Sequence, residues 1–145
     1  MRVLSTFDEF RHAITAYRLP RVLIAAIELD LFTAIGTEAW AIPDLARNMK
    51  VSERGLAILC RNLAMAGLLK KQGKIYRNSR LSATALNARH PAYRGDYLRL
   101  ITSHWADWRR LPESVKSGLP LDHDEADEPV YRRGFTWAMH HRTLE

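Results

Sequence analysis

Six histidines (His12, His90, His104, His123, His140 and His141) and a single cysteine, Cys60, are the side chains of this 145-residue sequence best suited to acid–base, nucleophilic or metal chemistry. Their placement argues against all three. No histidine stands with cysteine or carboxylate at a spacing that closes a metal site. One cysteine cannot form an intramolecular disulfide. Cys60 falls on an apolar stripe with Leu56, Leu59 and Leu63, where a thiol packs as a small hydrophobe. His123 lies among acids that raise its basicity, in what reads as an exposed loop, and His104 neighbours Trp105 and Trp108 in an aromatic-packed helix. No G-x-G-x-x-G follows a strand, so no dinucleotide cradle is predicted. By itself this chain is expected to catalyse nothing, bind no cofactor and hold no metal.

Charge offers a second kind of chemistry. Residues 47–80 hold nine bases (Arg47, Lys50, Arg54, Arg61, Lys70, Lys71, Lys74, Arg77, Arg80) against one acid, Glu53, in a chain whose formal charge is +6. Such clusters are what phosphate binding draws on. The helix expected to carry Arg54, Arg61 and Asn62 could read base edges with those groups. Ile58 and Met65 on the same face are poor groove partners and good packing residues. Nucleic acid therefore remains an alternative that the charge favours and the helix face does not.

The elements that must position these groups are mainly helical. A composition of 47% hydrophobic and 26% charged residues fits an ordered domain, and the length allows one core. No run approaches the roughly 18 apolar residues that span a bilayer, and the start lacks a signal-peptide core; a cytoplasmic protein, or piece of one, is expected. Pro20 is predicted to begin a new helix and to push Leu19 out of helical geometry. From Val22 to Ile35 only Glu28 and Asp30 are charged. A helix apolar nearly all round needs cover on every side. Either the domain itself wraps this run as a central helix, or part of the cover comes from a second subunit, with Val22, Leu23, Ile24, Ile27, Leu31 and Phe32 as the dimer-interface candidates. Pro43 opens the next helix, and Ser52 with Glu53 caps another that Gly67 stops. KQGK then turns between two short strands within Leu68 to Ser79. Helix, helix, helix and hairpin is the order of a winged helix. A longer helix through Tyr97, Leu98, Ile101, Trp105, Trp108 and Leu111 ends before Pro112 or kinks past it. Five carboxylates between Asp122 and Glu128 form an acidic loop. Residues 131–145 resume helical spacing through Phe135, Ala138 and Met139 and end without a clear cap, as though cut from something larger.

AIELDLFTAI, IPDLARNMKVSERGLAILCRNLAMAGLLKKQGKIYRNSRLSATAL and YRRGFTWAMHH, in that order, resemble the amino-terminal dimerisation region of the S-adenosylmethionine-dependent O-methyltransferases of plant secondary metabolism and bacterial antibiotic biosynthesis. The resemblance runs from about Tyr17 to His141. Two features depart from it: Ala41 stands where a capping threonine is usual, and the acidic stretch 122–128 replaces a linker containing glycine and phenylalanine.

The resemblance implies a winged-helix-like dimerisation domain with a small β-hairpin and additional C-terminal helices. It divides the chain into a dimerising body (1–112), an acidic linker (113–130) and the start of a helix (131–145) leading into a Rossmann-like domain. That following domain would bind S-adenosylmethionine and supply the catalytic base. The present region would form a homodimer and wall the pocket of a small, aromatic, hydroxylated acceptor. Phe135 and Met139 would face that acceptor, with Trp137 and His140 beside them and Tyr17 or Arg18 reaching a partner's pocket. The competing expectations are a winged-helix transcriptional regulator and a free-standing dimeric ligand-binding scaffold.

Overall fold

The structure is a computed structural model that describes residues 3–103, 105–121 and 129–142. Helix α1 (Phe7–Thr15) begins in a capping box: Glu9 N–H donates to Thr6 Oγ1 at 3.2 Å, and Thr6 N–H donates to Glu9 Oε2 at 3.1 Å. Ala16 and Tyr17 keep right-handed helical backbone, with φ of −59° and −60°, so the chain does not reverse before α2 (Arg18–Glu28). Leu19 is helical after all. Pro20 takes the third position of α2, where its missing N–H is one that no intrahelical carbonyl would have met.

The apolar run 22–35 is not one helix. Leu29 closes α2, Asp30 enters the left-handed region at φ 51°, and α3 (Leu31–Ile35) sets off in a new direction. That break alters the burial expected from the sequence. The turned segment packs against α4 (Ile42–Met49), α6 (Arg80–Ala85) and strand β3 (Ile75–Asn78), while α2 packs against α5 (Glu53–Met65) and α7 (Gly95–Ser103). Ile24, Leu31 and Phe32 are 6%, 0% and 1% exposed within one chain. These three expected interface residues thus belong to the protomer's own core and have no surface left for a partner. Burying Phe32 alone stabilises the fold by about 1.5–3 kcal/mol. Val22, Leu23 and Ile27 are half-buried at the edge of that core.

Between α3 and β3 lies the winged-helix succession of β1 (Trp40–Ala41), α4, α5, β2 (Leu69–Gln72) and β3. The sheet is antiparallel with order β1-β3-β2, and its first strand is one that the sequence pattern did not reveal. Gln72 pairs with Ile75 across a two-residue turn in which Gly73 has φ 59°, the positive value that a primed hairpin turn asks of its first residue. Both central helices end in the same way. Leu68 N–H reaches Leu63 O at 2.9 Å after Gly67 at φ 75°, and Val51 N–H reaches Ala46 O at 3.1 Å after Lys50 at φ 55°. Ser52 caps α5 by accepting from Gly55 N–H at 3.3 Å. Ala41 leaves the start of α4 without a side-chain cap. Leu45, Ala46, Leu56, Cys60, Leu63, Leu69 and Tyr76 complete the core begun by Ala26, Leu31, Phe32 and Ile35.

Beyond α6 the chain is a set of helices laid on this body: α7, α8 (Trp105–Arg109), α9 (Leu111–Ser117) and α10 (Pro129–Arg142). The helix expected through Leu111 is interrupted by a turn at Arg110, between α8 and α9. Pro112 sits in the first turn of α9, and Glu113–Ser117 of the expected linker are helical. The acidic stretch 122–128 lies outside the described residues.

Candidate functional site

Helix α10 packs against α7, and α7 against α2. The sequence-predicted acceptor residues on α10 occupy two faces. Phe135 and Met139, four residues apart, share one side of the helix; Trp137 and His140, three apart, share another. Phe135 is 46% exposed and Trp137 54%, whereas Met139 is half-buried. The Trp137 and His140 rings meet edge to face, with centroids 5.9 Å apart and planes at 83°. Arg18 lies elsewhere, in a mainly apolar cleft of about 380 Å³ with Leu19, Val22, Asn62, Met65 and Ala66. Tyr17, just before it, is 51% exposed. One chain therefore does not bring Tyr17 and Arg18 together with the four α10 residues around a single pocket.

Helix α7 carries a knot of side chains that sequence reading missed. Arg99 of α7 donates from Nη1 to Tyr93 Oη at 2.6 Å, and from Nη2 to Ile27 O at 3.1 Å and Asp30 Oδ1 at 2.5 Å. Asp96 Oδ1 stands 3.6 Å from Nη1. Burial raises the Tyr93 pKa, and the adjacent guanidinium offsets part of that rise. Burial also works against the Arg99 charge, but bonding to Asp30 and Tyr93 outweighs it and the guanidinium stays protonated. The available signal was a carboxylate, Asp30, inside an otherwise apolar run; its partner is 69 residues away. A second anchor is Asn78, whose Nδ2 donates to Phe32 O at 2.8 Å and Gly36 O at 2.9 Å, tying β3 to the end of α3.

Chemistry is sparse. The described residues hold no group of three or more His, Cys, Asp or Glu able to bind a metal. His12 Nδ1 is bonded to Asp8 O at 2.8 Å, and His90 Nδ1 accepts from Ala92 N–H at 3.0 Å, so both serve their own turns. Cys60 is fully buried and burial pushes its thiol up to about 11, which keeps it protonated and unreactive. His104, His123 and the His141 side chain lie outside the described residues.

The basic segment is exposed, as a wing would be. Lys70 and Arg77 face each other in register across the hairpin, while Arg47 is partly neutralised by Asp44 at 3.1 Å. The helix that would read bases is poorly equipped. Asn62 Nδ2 is spent on Ile58 O at 2.8 Å, and Ile58 and Met65 present 51% and 79% of their surface.

Three kinds of comparison agree with this geometry. Residues 11–88 match the O-methyltransferase dimerisation domain family. The chain is 36% identical over 127 residues to the tetracenomycin polyketide synthesis 8-O-methyl transferase of Streptomyces glaucescens, covering 82% of this chain and 38% of that protein. It is 31% identical over 101 residues to the 3-hydroxy-5-methyl-1-naphthoate 3-O-methyltransferase of Streptomyces sahachiroi, covering 69% and 29%. Among solved structures, an O-methyltransferase family protein from Burkholderia thailandensis superposes with a TM-score of 0.86 at 26% identity, over 98% of this chain and 44% of that one. Human N-acetylserotonin methyltransferase, solved with S-adenosylmethionine, has the same fold, with a TM-score of 0.76 at 20% identity over 98% and 47%.

The chain belongs to the O-methyltransferase dimerisation domain family. It spans well under half the length of the relatives it matches. A winged-helix transcriptional regulator is not favoured. No described helix is long and apolar enough to cross a membrane.

Proposed function

We propose that this chain is the dimerisation and acceptor-lid region of a cytoplasmic, S-adenosylmethionine-dependent O-methyltransferase acting on a small aromatic hydroxyl compound. The match of residues 11–88 carries the proposal. A body of residues 1–112 pairs two copies, and residues 131–145 lead into a following domain that binds the methyl donor and holds the catalytic base. Phe135 and Met139 offer an aromatic and a thioether surface suited to a flat acceptor. Trp137 and His140, on the other face of α10, and Tyr17 or Arg18 from the opposite subunit complete the candidate wall.

The homodimer surface needs redrawing, because Ile24, Leu31 and Phe32 are already enclosed. Helix α1 has no buried residue, and Phe7, Phe10 and Ile14 are 78%, 49% and 57% exposed at helical spacing. With Leu19, Val22 and Met65 along the cleft between α2 and α5, they supply apolar surface that one chain leaves bare.

Sedimentation velocity at micromolar concentration tests the pairing: a dimer is expected, and a monomer overturns it. The protein with its following domain is expected to transfer methyl from S-adenosylmethionine to a hydroxynaphthoate, while residues 1–145 alone transfer none. Salt-sensitive binding to one duplex over its scrambled counterpart would instead revive the regulator.

A further inference from the structure

We infer that Arg99 is a positioning residue: by clamping α7 to the break between α2 and α3, it sets the place of α10 and hence of Phe135 and Met139. The clamp is read from geometry alone; its consequence for an acceptor rests on the function proposed above.

Hydrogen-bond acceptors from two distant parts of the chain, Ile27 with Asp30 and Tyr93, converge on one guanidinium, with the Asp96 carboxylate 3.6 Å away. Ile27 O lies in the last turn of α2 and already accepts from Asp30 N–H at 3.1 Å; Arg99 adds a second bond, and because the helix end is negative its cation also offsets that charge. Asp30 is the left-handed residue that turns α2 into α3, and its carboxylate takes the same Nη2. Tyr93 Oη takes Nη1, at the entry to α7. The planar fork of arginine reaches these directions at once, which a lysine ammonium cannot do. Gly95 completes the device. A Cβ there would stand 2.0 Å from Tyr93 Oη, so only glycine lets the ring lie over the first turn of α7. Since α10 rests on α7, loosening the fork frees α10 while the winged body, whose core lies elsewhere, is undisturbed.

Hydrogen exchange of the 145-residue chain, read by mass spectrometry, tests the clamp. Arg99→Ala and Arg99→Lys are expected to speed exchange about tenfold in peptides of α7 and α10 and to leave those of α5 and the hairpin unchanged. Unaltered α10 exchange, or equal acceleration everywhere, overturns the inference. If Arg99→Ala does not fold, Tyr93→Phe and Gly95→Ala loosen one arm each and should give the same regional pattern to a smaller degree. In the longer enzyme, Arg99→Lys should raise acceptor KM several-fold with kcat and donor KM kept; a fall in kcat alone argues against positioning. Should that enzyme methylate no hydroxyl acceptor, the proposed function fails while the exchange pattern still decides the clamp.

Discussion

Residues 24–87 and the two ends of the chain solve the burial problem in opposite ways. Every buried hydrophobic side chain among the described residues lies between Ile24 and Tyr76. There, α2, α3, α4, α5 and the sheet wrap one another around Leu31, Phe32 and Leu63. Helices α1, α8 and α9 bury no residue, and Phe7, Trp108 and Val115 show 78%, 71% and 75% of their surface. The middle can be understood as a self-sufficient core. The ends carry apolar surface that another copy, or the rest of a longer protein, is expected to cover.

This contrast can be broken at its strong side first. Phe32→Ala empties a filled site and should cost about 3–5 kcal/mol in chemical denaturation; a loss below 1 kcal/mol would mean that the middle is no tighter than the ends. Next comes pH. The Cys60 thiol titrates near 9.0 when unfolded and at about 11 when folded. Burial thus favours the protonated form, and this contribution is fully present below pH 9 and is lost as pH rises towards 11. About 2–3 kcal/mol should disappear over that window, and Cys60→Ala should flatten it.

The ends are probed by association. Phe7→Glu with Ile14→Glu should weaken the dimer at least about a hundredfold in sedimentation while circular dichroism keeps the core signal. Retained dimerisation would move the interface away from α1. A smaller gain should follow Ala41→Ser, which gives the start of α4 the hydroxyl cap it lacks, stabilising by about 1 kcal/mol in thermal melts. Smallest of all, Val115→Ala should leave the stability of the isolated chain within about 0.5 kcal/mol, as expected for an exposed side chain.

Much of the middle was legible in the residues. Ser52, Gly67 and Gly73 act locally, through a cap, a left-handed helix end and a turn, so their structural roles follow from near neighbours. The third strand was not legible. Trp40 and Ala41 make a two-residue strand, too short for alternation, and exist as one only because Tyr76 and Ile75 lie alongside. Nor was the chain break at Asp30. A run of apolar residues with helical spacing says nothing about a single left-handed residue whose carboxylate meets an arginine far along the chain. The break decides between the two readings of that run for Leu31 and Phe32, which look surplus on a straight helix and are enclosed on a bent one.

The sequence by itself determined the class of protein and the order of helices and hairpin. Those follow from residue type and short-range spacing, where caps, turns and periodicity act. Only the tertiary structure decided which apolar residues one chain hides and that Arg99 joins α7 to α2. Burial and long-range bonding depend on which distant segments meet, and that is a property of the packed whole.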